Sequence, residues 1–292
     1  MDHHLRTFVA VVELKNFTRA AEILHITQSA VTLSIKTLEK TYQVKLLDRT
    51  NKFVRLTRAG EILYHHAKEI LAKYDHAKRL IDDLSHRVSG PLSIGSSYTF
   101  GEYILPKLIS EFKKMFPLVR PNITIRNTEA IVTQLLQHEL DLGIVEGKVD
   151  HPQVLVQPFA KDEMVVVVPF DHPYAENKVL DLQDLKSETW ILREKGSGTR
   201  QSVEGVFEQL NFSPASTMDF GSSQIIKESV EAGLGVTILS ESIIRKELLL
   251  GTVRSLRIRD FPMIRDFSYV IYDSEFHPKS TDLFLKHLSN LA

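Results

Sequence analysis

Cysteine is absent from the 292 residues of this sequence. Its absence excludes disulfide bonds and metal sites built on thiolates. No apolar run approaches the roughly 20 residues that a helix needs to cross a bilayer. Near the N-terminus, Arg6, Glu13 and Lys15 interrupt every apolar stretch, so the segment lacks the hydrophobic core of a secretory signal. We therefore expect a cytoplasmic protein that makes no contact with a membrane.

Sequence motifs of common enzyme classes are missing as well. The sequence contains no G-x-S-x-G, no H-E-x-x-H, no G-x-x-x-x-G-K-[ST] and no plausible pair of catalytic carboxylates. His65 and His66 are adjacent in sequence, and two adjacent histidines do not converge on one ion. We expect no catalytic activity, no bound metal and no cofactor.

Charge is divided unevenly along the chain, although the formal net charge is only −1. Residues 1–90 contain 15 Lys and Arg against 10 Asp and Glu, whereas the remainder contains 21 against 27. A basic segment joined to an acidic body indicates that only the first part meets a polyanion. The surplus is small, and many solvated surfaces carry one like it.

The first sixty or so residues have the pattern of three short helices. Apolar residues recur with helical spacing over 3–14. Thr18 is a candidate cap for a second helix, and Thr27 is a candidate cap for a third helix over 28–41. This order predicts a helix-turn-helix, although any small helical bundle would show the same spacing.

The outer face of the third helix combines short hydrogen-bonding side chains near its N-terminus with cations further along. Base edges are contacted by short or amide side chains, while phosphates attract cations at the margins. Leu33 is an unexpected apolar residue on this face, and it can contact a thymine methyl group. Two strand-like runs around a cationic turn follow, as in a wing that grips the DNA backbone. The predicted DNA-binding residues are Thr18, Thr27, Gln28, Ser29, Thr32, Leu33, Lys36, Arg49, Lys52 and Arg55.

A proline-free segment continues from Thr57, a candidate cap, to Ser89. Apolar side chains recur in it with strict 4-3 spacing over about 39 Å of helix. A stripe this narrow fits one partner helix better than a large core, although a long helix lying on its own protein is the alternative. Pairing would hold two recognition helices at a fixed spacing, which predicts a near-palindromic DNA site. This heptad stripe consists of Leu63, Ala67, Ile70, Tyr74, Ala77, Ile81, Leu84 and Val88.

From residue 90 onward, strand-like and helix-like segments alternate as in parallel βαβ units. One series ends and a second begins near Lys161, and the chain returns to the first series near Arg265. We therefore expect two α/β lobes with a cleft between them. Lobe I is placed at 90–161 and 266–292, and lobe II at 162–265.

Two strand-to-helix turns carry the chemistry of the predicted cleft, S-S-Y-T-F at 96–100 and G-S-G-T-R at 196–200. Ligands of α/β proteins bind at the carboxyl ends of strands, and hydroxyls with free N–H groups at a helix N-terminus suit an anion. Taken alone, each turn is equally well explained as a helix cap. The predicted ligand-binding residues are Ser96, Ser97, Thr99, Glu146, Ser197, Gly198, Thr199 and Ser222.

These segments resemble those of LysR-type transcriptional regulators. The match runs without a gap from about Leu5 to Gly60 and includes F-T-R-A-A-E, Q-S-A-V-T, K-T-L-E, L-L-D-R and L-T-R-A-G. Similarity is weaker beyond it, where E-A-G-L-G-V-T-I-L at 231–239 is the most characteristic stretch. I-L-R-E-K-G-S-G-T-R resembles regulators of sulfur assimilation and of carbon-fixation operons. This sequence has Leu33 where the family often has Arg or Lys, and Lys195 where those regulators often have proline.

The resemblance implies a winged helix-turn-helix of all-α type over 1–58 and a dimerisation helix over 59–89. It implies a two-lobed α/β effector domain, similar to periplasmic binding proteins, over 90–292. Self-association as dimers and homotetramers and an effector held between the two turns are also implied. A small anion or phosphorylated metabolite is the expected effector class.

The expected function is sequence-specific regulation of transcription in a bacterium, through double-stranded DNA and a small anionic effector. The alternative is a cytoplasmic solute-binding protein or enzyme in which residues 1–60 are a helical appendage.

Overall fold

The N-terminal unit begins with three short helices packed around one apolar core. The computed structural model describes residues 2–49, 53–84 and 88–290, and the chain divides into two compact units, 1–82 and 83–292. The core contains Phe8, Ala20 and Val31, all of them fully buried. The helices are α1 (Asp2–Leu14), α2 (Phe17–Ile23) and α3 (Gln28–Tyr42).

An antiparallel pair of strands, β1 (Leu47–Arg49) and β2 (Val54–Leu56), forms the wing. Helix α4 (Arg58–Asp82) follows it. Thr57 caps α4, because its Oγ1 accepts from the Gly60 N–H at 3.0 Å. A Cβ at Gly60 would lie 2.0 Å from the Leu46 carbonyl oxygen, so this close approach of α4 to the wing requires glycine.

Two sequence-based predictions for this unit are wrong. The cap of α2 is Asn16, whose side chain accepts from the Arg19 N–H at 3.0 Å. Thr18 is the second residue of the helix. Helix α4 ends at Asp82 instead of reaching Ser89, so Leu84 and Val88 lie beyond it, and Val88 packs against the apolar core of lobe I. Asn and Thr are both good helix caps, so only the backbone geometry decides that Asn16 caps α2 and Thr18 does not.

The heptad stripe is divided between two environments. Ala67 is fully buried and Leu63 packs beside it against the core of the N-terminal unit. The part of the stripe that remains exposed on α4 consists of Ile70, Tyr74, Ala77 and Ile81. Only this exposed part is available to a partner helix.

Lobe I is built on a parallel sheet with strand order β4-β3-β5. Its apolar core lies between this sheet and the helices, with Phe100, Phe112 and Phe284 among its fully buried members. The strands are β3 (Gly90–Ser96), β4 (Val119–Ile125) and β5 (Leu142–Glu146); the helices are α5 (Tyr98–Tyr103), α6 (Leu105–Met115), α7 (Thr128–Leu136) and α11 (Lys279–Ser289).

Lobe II has a second core centred on Trp190, the single tryptophan of the chain, which is fully buried. Strands β8 and β9 are parallel, whereas β10 and β11 pair antiparallel with a strand shared between the lobes. The strands are β7 (Val179–Leu180), β8 (Thr189–Arg193), β9 (Ser216–Phe220), β10 (Thr237–Ser240) and β11 (Val253–Ile258); the helices are α8 (Gly198–Gln209), α9 (Ser223–Glu231) and α10 (Arg245–Leu250).

Two long strands, β6 (Val154–Pro169) and β12 (Met263–Tyr272), run through both lobes. They pair antiparallel along their length, so the sheet is mixed. The expected parallel pairs occur within each lobe, but the pairs that β5, β10 and β11 form with β6 or β12 are antiparallel. On β6, Phe159 belongs to the core of lobe I and Met164 to the core of lobe II. The expected crossing at Lys161 falls between these two residues. Over the described part of the chain, none of the helices is long and apolar enough to cross a membrane.

Candidate DNA-binding surface and effector site

The outer face of α3 is open to solvent. Thr27 caps the helix: its Oγ1 accepts from the Ala30 N–H at 3.2 Å and lies 2.9 Å from Ser29 Oγ. Gln28, Ser29 and Lys36 are exposed and Thr32 is half-buried. Leu33 is 65% exposed, although the opposite face of α3 is buried in the core. An isolated exposed leucine is common on protein surfaces, but here it stands among polar groups suited to base edges.

The wing and the start of α2 supply the remaining predicted DNA contacts. Arg55 is exposed on β2, with its guanidinium 4.7 Å from the centre of the Phe53 ring. Arg49 ends β1, Thr18 is exposed in the first turn of α2, and Lys52 lies outside the described residues. The structure thus presents Arg55 as a surface cation, positioned by stacking on an aromatic ring.

On the lobe I side, the predicted effector residues lie at or near the carboxyl ends of neighbouring parallel strands. Ser97 follows β3 and donates from Oγ to Glu146 Oε1, at the end of β5, over 2.7 Å. Thr128, which starts α7, donates to the Glu146 carbonyl oxygen at 3.0 Å. Ser96 is buried beneath α5, where its Cβ faces Gly101. Ser97, Thr99 and Glu146 therefore meet at this edge, and Ser96 points away from it.

On the lobe II side, Ser197 caps α8 and Gly198 starts it. Gly198 packs directly on lobe I, since a Cβ there would lie 2.0 Å from the Glu146 carbonyl oxygen. Ser197 and Thr199 are both buried. Ser222 is the cap of α9, where its Oγ accepts from the Ile225 N–H at 3.4 Å. The G-S-G-T turn thus lies against the end of β5 in this structure.

Arg265, on β12, joins the two turns. Its Nη2 donates to Thr99 Oγ1 of lobe I at 3.2 Å, and its Nη1 donates to Thr199 Oγ1 of lobe II at 3.0 Å. The same guanidinium donates from Nε to Asp162 Oδ2 at 2.7 Å, directly across the β6–β12 ladder. Glu146 Oε2 is 3.9 Å from Nη1. One buried cation therefore connects both lobes and two carboxylates.

The charges at this junction are almost fully removed from water. Burial raises the pKa of Asp162, and the negative charge of Glu146 adds to the rise. Arg265 and the Ser240 hydroxyl, which donates to Asp162 Oδ1 at 2.6 Å, act in the opposite direction. The rise shows that the one guanidinium does not fully offset the desolvation of the carboxylate.

Two other cations near the turns are already engaged. Arg200 pairs with Glu204 at 2.6 Å and with Asp219 at 2.5 Å within lobe II, and Arg200 has a raised pKa. Arg193 is buried, forms a two-point contact with Glu194 and lies 4.5 Å from the centre of the Tyr98 ring of lobe I. Lys195 is exposed. Arg265 is the buried cation that contacts the two hydroxyl turns themselves.

Comparison with known proteins shows to which family the two parts of the chain belong. Residues 3–61 match the family described as bacterial regulatory helix-turn-helix protein, lysR family, and residues 85–292 match the LysR substrate binding domain. The chain belongs to the LysR family. This LysR-type regulator is accordingly a DNA-binding regulator of transcription with an effector-binding domain.

Its relatives are regulators too. It is 39% identical over 286 residues to the HTH-type transcriptional regulator CysL of Bacillus subtilis, covering 98% of this chain and 96% of that protein. It is 34% identical over 239 residues to the RuBisCO operon transcriptional regulator of Acidithiobacillus ferrooxidans, covering 81% and 76%. The regulatory domain of Synechocystis PCC6803 CcmR, solved in complex with 2-PG, superposes with a TM-score of 0.65 at 28% identity, covering 70% of this chain and 97% of that one.

Sequence reasoning about this LysR-type regulator missed Asp162, Arg265 and Thr128. Asp162 and Arg265 lie where the sequence predicts that the chain changes lobe, and each is a buried charge inside a strand that also carries exposed charges. Charged residues are rarely buried unless they are paired. Because exposed charges flank both residues in the sequence, a local pattern does not mark Asp162 and Arg265 as a buried ion pair.

Proposed function

We propose that this LysR-type regulator binds a near-palindromic DNA site as a dimer, through α3 and the wing of each subunit. The exposed groups at the start of α3 and the cation on β2 support this assignment, because they match base and phosphate contacts respectively. A DNA-binding regulator acts where the chromosome is, so we also propose a cytoplasmic location. The proposal divides the chain into a DNA-binding domain over 1–58, a dimerisation segment over 59–89 whose helix ends at Asp82, and an effector-binding domain over 90–292.

The exposed stripe of α4 supports self-association. Ile70, Tyr74 and Ile81 are 52, 54 and 67% exposed, and they recur on one face with Ala77. Large apolar side chains left in water along one helix face favour burial against a second helix. Pairing through this stripe gives a dimer, and a second interface elsewhere would give the proposed tetramer.

A small anion is the effector class that the junction of the lobes supports best. Each of the Thr99 and Thr199 hydroxyls accepts from Arg265, so each keeps its own hydrogen to donate to a ligand. The first N–H groups of α8 and the guanidinium add positive character on the same side. The single observation that carries the proposal is Arg265 bridging one hydroxyl of each lobe.

Of the residues that meet at this junction, Arg265 lines an open groove of about 910 Å³, bounded by α8 and β12. An anion entering there would take over the guanidinium and both hydroxyls, and so change how tightly the lobes are held together. We propose that this shift is transmitted to the spacing of the paired recognition helices.

The DNA part is tested by binding-site selection from random duplexes with the full chain. We expect a near-palindromic motif whose affinity falls steeply with salt and is lost in a Thr32→Ala/Lys36→Ala variant. Failure to select any sequence would contradict it.

The effector part is tested by a thermal-shift screen of small anions and phosphorylated metabolites, since a bound ligand stabilises by mass action. Stabilisation that disappears in Thr199→Val supports the site. Chemical turnover of a bound compound would favour the enzyme alternative, for which none of the relatives described above gives support.

A further inference from the structure

Two buried carboxylates share one buried guanidinium at the junction of the lobes. The side chains of Glu146, Asp162 and Arg265 are 2, 4 and 6% exposed. With all three groups ionised, the centre carries a net charge of −1. A buried excess of charge is unfavourable, because the solvent that would stabilise it is excluded.

The groups that face this centre from the surrounding elements do not restore the balance. The turns at α5, α7 and α8 contribute Ser97, Thr99, Thr128 and Thr199, and β10 contributes Ser240, which are all uncharged. On the flanking strands, Lys161 pairs with Asp266 at 2.5 Å and Arg257 pairs with Glu163 at 2.8 Å, and these four side chains are largely exposed.

Two cavities adjoin the centre. The cavity beside Asp162 is lined by one further acid and one further base, Glu241 and Arg245. Apart from Arg265 itself, the charged residues that line the groove beside Arg265 are Lys148, Asp150, Glu204, Glu208 and Asp266. Neither wall offers a surplus of cations, so both leave the centre with its excess negative charge.

An anionic effector would add to that excess. We propose that the site takes up an anionic effector together with one proton, which the Glu146–Asp162 pair holds. This inference rests on the proposed anionic effector and specifies how it is bound. The proton comes from solvent, forms an O–H bond on one carboxylate oxygen and is released again when the effector leaves. With a monoanion bound, the neutral carboxyl restores the net charge of −1, and it can donate a hydrogen bond to the anion.

A raised pKa of Asp162 favours uptake of a proton, and burial raises the pKa of this carboxyl. Both carboxylates contact the same guanidinium, so the proposal assigns the proton to the two of them jointly. Arg265 is the specificity-determining residue: it is the group that the effector must share with two acids.

The test is isothermal calorimetry of the full chain with sulfate and, separately, with acetate, neither of which changes its own charge between about pH 6 and about pH 8. Each titration is repeated in buffers of different ionisation enthalpy, and the dependence of the observed heat on that enthalpy counts the protons. We expect uptake of about one proton per anion, and an affinity that rises up to about tenfold for each unit of pH decrease.

Saturable binding without proton uptake would overturn this inference while leaving the anionic effector intact. No saturable binding of either anion at either end of this pH range would overturn both. The wild-type measurement alone decides between these outcomes.

Glu146→Gln provides the matched variant, because it removes one charge and keeps an oxygen that can accept from Ser97. We expect it to abolish proton uptake and to bind the anion at about pH 8 nearly as tightly as the wild type does at about pH 6. Glu163→Gln is the control, the same substitution on an exposed, ion-paired acid of β6, and should behave as the wild type. An unchanged proton count in Glu146→Gln would refute the role of the pair.

Discussion

Replacing Arg265 by methionine removes the shared guanidinium while keeping most of the length of the side chain. Asp162 loses its partner at 2.7 Å, Thr99 and Thr199 lose their common donor, and Glu146 loses the cation at 3.9 Å. Breaking a buried pair from one side costs about 3–5 kcal/mol, because a charge is left buried without compensation. A unit of this size loses about 2–4 °C of melting temperature per kcal/mol. We therefore expect the effector unit, residues 83–292, to melt about 6–20 °C lower.

The pH dependence gives the prediction a second, independent test. An acid whose pKa is raised in the folded state stabilises that state below the unfolded value, and this contribution is lost as the pH rises through the folded value. The pKa of Asp162 is raised by burial even with Arg265 present, and removing Arg265 removes an interaction that lowers it. The loss of stability in Arg265→Met should therefore be largest at about pH 8 and shrink toward about pH 5.

Fluorescence of Trp190 is the suitable assay, because this single tryptophan is buried in lobe II and reports on the effector unit without interference from the N-terminal unit. Arg257→Met is the control: its partner Glu163 is at 2.8 Å, but the side chains are 64 and 44% exposed, so the change should cost less than about 1 kcal/mol. Equal midpoints for the two variants, or a loss in Arg265→Met that does not vary with pH, would refute the reasoning.

The remaining predictions concern the DNA-binding surface, the dimer and the contact between the lobes. Leu33→Arg should change the preferred base at one position per half-site in a binding-site selection, since it exchanges a possible thymine-methyl contact for a guanine or phosphate contact; an unchanged motif would make Leu33 an ordinary exposed leucine. Ile81→Glu should raise the dimer dissociation constant in sedimentation equilibrium by about tenfold or more, because it places a charge in the apolar stripe. Lys78→Glu, outside the stripe, is the control, and an equal effect of the two substitutions would argue against dimerisation through the stripe. Gly198→Ala should lower the melting temperature of the effector unit, since its Cβ would meet the Glu146 carbonyl oxygen at 2.0 Å, and normal stability would show that the lobes part at little cost.

Local patterns predicted the elements of the N-terminal unit well. Helical spacing and cap residues located α1 and α3 to within a residue or two, and the cap at Thr27 is present. The prediction of Thr18 as the cap of α2 was wrong, because Asn16 also has a capping side chain and the sequence does not specify the backbone turn. The end of α4 was also placed too late, since the helical pattern continues past Asp82 in the absence of proline or glycine.

Only part of the candidate effector site could be predicted from the sequence. Ser97, Thr99, Ser197 and Thr199 follow predicted strands, and the general rule on strand ends placed them at one edge. Arg265 and Asp162 are 103 positions apart, and only the register of β6 against β12 brings them together. Strand register depends on pairing across the whole sheet and leaves little trace in a local pattern.

The central claim is that an effector bound at the Arg265-bridged turns controls DNA binding. It is tested most directly by footprinting the full chain on its selected DNA site, with and without a compound that raises the melting temperature of the wild type. We predict that the compound changes the footprint of the wild type and leaves that of Thr99→Val/Thr199→Val unchanged, while both proteins protect the same site without it. An equal change of footprint in the wild type and the double variant would contradict the account.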